Sequence, residues 1–119
     1  NLYKVSPHAA GNPSRDLMKA QRPACFELLS LELQYWSPRR ILFLTGLSWA
    51  TSFLTHLGCH VRHVRESPWV EGVATMGGAE IVIAPHPQGK PQAALVRDIL
   101  EHFQPSMTDT ARNGASNCT

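Results

Sequence analysis

The sequence predicts an α/β domain, a three-layer sandwich around a central, mainly parallel sheet. Two observations carry this. The apolar runs at 41–44 ("ILFL") and 80–84 ("EIVIA") are continuous rather than alternating, as in strands covered on both faces. Helical stretches lie between and after them, and alternation of strand and helix is the pattern that builds a parallel sheet.

Taken in order, "NLYKV" (1–5) is short and β-prone and reads as the end of a strand. Residues 6–14 hold two prolines, a glycine and an asparagine, and read as a loop. Ser14 is a good N-cap for a helical stretch over 15–36, in which Leu28, Leu29, Leu31, Leu33 and Tyr35 suggest a largely buried helix. Pro23 inside it either kinks one helix or begins a second. Ser37-Pro38 ends it, and a basic pair, Arg39-Arg40, leads into the central strand. Thr45-Gly46 turns into a helix over 48–57, closed by Gly58 at the position after the C-cap. "HVRHVR" (60–65) alternates and suits an edge strand. Residues 66–78, with Pro68, Gly72, Gly77 and Gly78, read as irregular. A helix over 92–103 places Ala94, Leu95, Ile99 and Leu100 on one face, and the polar stretch 104–119 reads as a disordered tail behind a domain spanning 1–103.

The bulk numbers set wide bounds. The 119 residues are enough for one modest core, and 43% hydrophobic with 17% charged residues is ordinary for a globular chain. A net charge of +2 permits nucleic acid as a partner without demanding it. Cys25, Cys59 and Cys118 are odd in number and share no metal-like spacing, which suits a reduced, cytoplasmic (intracellular, nucleoid-associated or nuclear) setting. No apolar run approaches the roughly 20 residues of a membrane span. His56, His60 and His63 are close in sequence, but His60 and His63 differ in parity along a strand and would point to opposite faces, so no metal site is expected. Trp36 and Trp49 fall in helical stretches and read as packing; Trp69, in an irregular segment, is the better candidate for stacking on a base.

One stretch asks for more than a turn. "APHPQGKP" (84–91) follows a buried strand directly and sets His86 between two prolines, then Gln88, Gly89 and Lys90. In parallel α/β sheets the ligand site lies at the carboxyl ends of the strands, where this loop falls together with 6–14 and Thr45-Gly46. A histidine held there can donate to charge developing on a leaving group, and fixed flanking backbone lowers the reorganisation needed. Gly89 allows close approach of a polyanion, and Lys90 adds positive charge. The spacing of a P-loop is absent.

Three segments in order, "NLYKVSP…GNPS", "ACFELLSLELQYWSPRRILFLTG" and "IVIAPHPQ", give residues 1–103 a resemblance to the C-terminal two-thirds of the uracil-DNA glycosylase superfamily. The resemblance implies an enzyme of DNA base excision repair that flips uracil, or a related deaminated base, out of DNA and hydrolyses the bond between base and sugar. It implies that His86 is the catalytic donor to uracil O2 and that Asn1 reads the base edge. It further implies that Ser6, Asn12, Ser14, Gln88, Gly89 and Lys90 contact the DNA backbone. The partner would be DNA containing uracil or another deaminated base, the protein a monomer, with no membrane association.

The departures carry expectations of their own. Gln88 stands where the family has serine. Val5 stands where its iron–sulfur branch has a ligand cysteine, so no cofactor is expected, a four-iron cluster needing four ligands; Cys25 reads as a buried helix residue. The family's water-positioning loop and uracil-stacking aromatic precede the base-reading strand. The chain is therefore expected to be truncated at its N-terminus and inactive by itself. Two other readings stay open: a non-catalytic relative that binds nucleic acid or a protein partner, and an unrelated α/β nucleotide-binding domain.

Overall fold

A computed structural model describes residues 2–8 and 11–103. The chain divides into two compact units, Asn1–Pro38 and Arg39–Thr119.

The first unit is one long helix with an extended segment tied to it. Helix α1 spans Arg15–Trp36, and Ser14 caps it, its side-chain oxygen accepting from the Leu17 amide at 3.1 Å. Pro23 neither ends nor restarts the helix, which runs on without a break. Ser37 closes it in the left-handed region (φ 45°), its amide donating to the Leu33 carbonyl. The expectation of a largely buried helix is corrected: Cys25 is its buried residue, while Leu28, Leu31, Tyr35 and Trp36 are exposed. The apolar positions 28, 29, 31 and 33 are spread around the helix at 100° per residue, so no single face could take them all inward. The expected strand at 1–5 is also corrected over its described residues. Lys4 and Val5 are not in a sheet; both amides donate to the Gln21 side-chain oxygen, at 3.0 and 2.9 Å, and the Gln21 amide nitrogen donates to the Val5 carbonyl at 2.8 Å. One glutamine supplies the pairing that a neighbouring strand would give.

The second unit is an α/β domain on a four-stranded mixed sheet. Its elements are β1 Arg40–Leu44, α2 Leu47–His56, β2 Arg62–His63, β3 Gly72–Met76, β4 Ala79–Ala84 and α3 Gln92–His102. The strand order is β1-β4-β3-β2. The pair β1/β4 is parallel, with Phe43 opposite Ile83, while β4/β3 and β3/β2 are antiparallel. The expectation of a mainly parallel sheet is therefore corrected as well, and the cause is β3, which falls inside the stretch expected to be irregular. Gly77 and Gly78 form a two-residue hairpin turn, with Gly77 at φ 58°, the positive value that tight hairpins require at a central position. The turn brings β3 back antiparallel to β4, with Met76 opposite Ala79.

Strand β4 is paired on both edges, and Ile81, Val82, Ile83 and Ala84 are all at or below 1% exposure. Alternation then sorts its side chains. Val82 and Ala84 join Leu95, Ile99 and Phe103 of the α3 segment, with Val64 and Val70, in one buried cluster. Ile83, on the opposite parity, lies near Gly72 and Leu47 at the start of α2. Fully burying an aliphatic side chain of this size contributes about 1.5–3 kcal/mol, so β4 is the main source of cohesion. On α3 the inward face is Leu95, Asp98 and Ile99; Leu100, expected inward, is 62% exposed. Among the described residues no helix is long and apolar enough to cross a membrane.

Gly72 has little room for a side chain. A Cβ there would stand 3.0 Å from Val61 Cγ1 and 3.1 Å from Leu47 Cδ1. Gly72→Val is expected to destabilise the domain by about 1–3 kcal/mol through overpacking, read as a lower urea midpoint. A midpoint equal to the parent's would show that this face is loosely packed.

Candidate functional site

The rim where β1 and β4 end is built by three segments of the second unit. The first is the turn after β1. The Gly46 amide donates to the Ala84 carbonyl at 3.0 Å, which ties the two strand ends together before α2 begins. Gly46 takes φ 82° as N-cap and has no side chain with which to cap. Its role passes to Glu71, whose Oε1 accepts from the Leu47 amide at 2.8 Å. A carboxylate from elsewhere in the chain thus satisfies an orphan donor at the first turn of α2, where the helix dipole also favours negative charge.

The second segment is 64–71, which crosses from β2 to β3. It is fastened to α3 by one carboxylate. Asp98 is 6% exposed and accepts from the Ser67 hydroxyl and from the Trp69 and Val70 amides, the latter two at 2.8 Å. Burial works to raise its pKa. The Ser67 hydroxyl, the Val70 and Trp69 amides and nearby His102 overcome that and hold it below the usual carboxylate range. The Val64 amide donates to the Glu71 carbonyl, and the Glu71 amide to the Ile83 carbonyl, so the segment is fixed at both ends.

The third segment is the loop after β4. The Lys90 amide donates to the Pro87 carbonyl at 3.0 Å across a turn in which Gly89 has φ 75°. His86 is exposed, and the Gln88 amide donates to its Nδ1 at 3.1 Å. With Nδ1 accepting, the neutral ring carries its proton on Nε2, which leaves that nitrogen as a donor.

Between the second and third segments lies an open cleft of about 430 Å³. Pro85 and Lys90 line it from the loop after β4, and Arg65, Pro68, Trp69 and Glu71 from the 64–71 segment, with Leu47 and His63 beside them. Trp69 is half-buried, packing on the α3 cluster while lining the cleft.

Of the residues expected from the sequence, His86, Gln88, Gly89 and Lys90 are brought together on one turn. Ser6, Asn12 and Ser14 belong to the first unit, where all three are exposed and the Ser14 oxygen serves as the helix cap. Asn1 lies outside the described residues, as do Cys118 and the whole of 104–119. Trp36, expected to pack, is 73% exposed and meets Tyr35 edge-on at 4.9 Å between centroids. Cys25 and Cys59 are buried and free, and burial pushes the Cys59 thiol up, which makes it a poor nucleophile. Among the described residues no group of three or more histidine, cysteine or acidic side chains could hold a metal ion.

Sequence reasoning missed Glu71 and Asp98. Asp98 had left a signal, an acid three residues after Leu95 and one before Ile99, on the inward face of an amphipathic helix. Glu71 left none, because its partner Leu47 is 24 residues away.

No family model matches the chain, and no curated protein or solved structure matches it. The functional reading therefore rests on the residues and their geometry.

Asp98→Asn is expected to lower stability at neutral pH by about 2 kcal/mol, since the charged acceptor shared by three donors is removed. The sign with pH follows from the depressed folded pKa. The stabilisation is fully present above the unfolded value near 3.9 and is lost as pH falls through the folded value. Thermal melts between pH 2 and 7 should thus show a smaller acid loss in the variant than in the parent. Parallel curves would mean that Asp98 is not the titrating group.

Proposed function

We propose that this chain carries the base-releasing side of a DNA glycosylase of the uracil-DNA glycosylase kind, acting on uracil or a related deaminated base. The observation that carries the reading is His86. It follows a doubly paired strand at the rim of the sheet, is exposed, and has its Nδ1 engaged by the Gln88 amide, which leaves Nε2 as a hydrogen-bond donor. The chemistry needs such a donor. As the bond between base N1 and sugar C1′ breaks, its electron pair stays with the base and charge collects on O2. The sugar becomes oxocarbenium-like and takes up water at C1′, and the proton this water loses balances the base anion, giving an abasic sugar and the neutral base. A pre-positioned N–H on O2 stabilises the departing anion. Gln88, Gly89 and Lys90 on the same turn offer amides and a cation to the flanking phosphates, Gln88 replacing the family's serine as a donor.

The three-layer sandwich belongs to this reading. Its support is the parity of β4, with α3 over Val82 and Ala84 and the first residue of α2 near Ile83's face. The reading needs no iron–sulfur cluster, because Val5 stands where that branch has a ligand cysteine. It also implies an intracellular, cytoplasmic or nuclear, protein that acts as a monomer. A nucleotide-binding domain holding phosphate at the start of α2 is disfavoured, because the Glu71 carboxylate occupies the Leu47 amide there.

In the protein carrying the complete site, His86→Ala is expected to slow uracil release from single-turnover substrate by about 100-fold, the worth of one transition-state donor. Release at the parent rate would remove His86 from the chemistry, and no release by the parent itself would favour a non-catalytic relative. Asn1→Asp should relax discrimination between uracil and cytosine, which present opposite patterns at N3 and position 4. An unchanged preference for uracil would show that Asn1 is not the reader.

A further inference from the structure

The cleft beside the His86 loop is lined by Trp69 and Arg65, which base release as proposed above does not use, and shares Lys90 with it. It is about 430 Å³ in volume, within the range of small-ligand sites and ample for one nucleotide unit. One wall is aromatic, Trp69 with Pro68 beside it, and two cationic side chains, Arg65 and Lys90, line it as well. Among the described residues that line it the one carboxylate is Glu71, which has an oxygen engaged by the Leu47 amide.

The aromatic wall is also held in place. Trp69 sits on a connecting segment, which ordinarily would move. Here the buried Asp98 carboxylate takes the hydroxyl of Ser67 and the amides of Trp69 and Val70, and the indole rests on the α3 cluster. Ordering a loop on binding costs conformational entropy, and a platform fixed beforehand avoids that cost.

We propose that this cleft binds a single-stranded DNA nucleotide flanking the target, its base stacked on Trp69 and its phosphates met by Arg65 and Lys90. This deepens the glycosylase reading and rests on it for the identity of the polymer. Stacking on an aromatic face tolerates any base, because every base has a π-face, and the cations track the backbone. The site therefore secures the strand next to the lesion without reading its sequence. Asp98 is a positioning residue here, acting through Trp69.

The test is binding of a fluorescein-labelled, uracil-free single-stranded oligonucleotide to the 119-residue chain, followed by anisotropy over a range of salt concentrations. Trp69→Leu keeps an apolar side chain against α3 and is expected to weaken binding roughly tenfold, while Trp69→Phe keeps most of the affinity. Arg65→Ala with Lys90→Ala should flatten the dependence of log K on log salt by about 0.7 for each phosphate that is no longer neutralised. A folded Trp69→Leu chain that binds as the parent does overturns the proposal, as does a parent that binds no oligonucleotide. Should Trp69→Leu not fold, the Arg65/Lys90 variant decides, and an unchanged salt slope overturns it. The two readings fail separately. Trp69-dependent binding without uracil release by the complete protein sinks the glycosylase reading alone. His86-dependent release with binding indifferent to Trp69 sinks this one alone.

Discussion

Strand β4 is the constraint on which the second unit depends. It is hydrogen-bonded on both edges, to β1 in parallel and to β3 antiparallel, and its last four side chains are out of solvent. Its alternation divides the core in two, giving Val82 and Ala84 to α3 and leaving Ile83 beside Leu47 at the start of α2. Its carboxyl end then delivers Pro85 and His86 to the rim. A histidine so placed follows one of the most deeply buried strands in the fold.

The rim itself is closed by carboxylates rather than by packing alone. Glu71 caps α2, an assignment its N-cap residue Gly46 cannot fulfil. Asp98 gathers three donors of the 67–70 segment against α3. A buried acid with a full set of donors is stabilising, whereas the same acid with one donor missing is a liability, so the segment and the helix specify one another. The Trp69 wall of the cleft is a consequence of that mutual fit.

Two kinds of group meet at this edge of the sheet. His86, its Nδ1 engaged by the Gln88 amide, is the donor that we propose for charge on a departing base. Trp69, Arg65 and Lys90 line the cleft that we propose for a flanking nucleotide. Both stand on backbone that is fixed before any ligand arrives, one by a proline-flanked turn and the other by Asp98. The first unit uses the same economy at smaller scale, where one Gln21 amide serves three backbone groups of an extended segment.

What the sequence by itself determined was local. Continuous apolar runs marked β1 and β4, Ser14 and Gly58 marked helix ends, and the PHPQGK run marked the loop after β4. The Gly77-Gly78 hairpin was equally legible, as a two-residue glycine turn between apolar segments, and reading 66–78 as irregular passed over it. Tertiary structure decided the rest, because the deciding hydrogen bonds join residues far apart in the chain. Glu71 reaches Leu47 across 24 positions, Asp98 reaches Val70 across 28, and Gln21 reaches Val5 across 16. Periodicity reports which face of an element turns inward, but not which polar group waits there. A buried carboxylate and its donors are chosen by three-dimensional proximity, and so the cleft they frame could be seen only once the chain had folded.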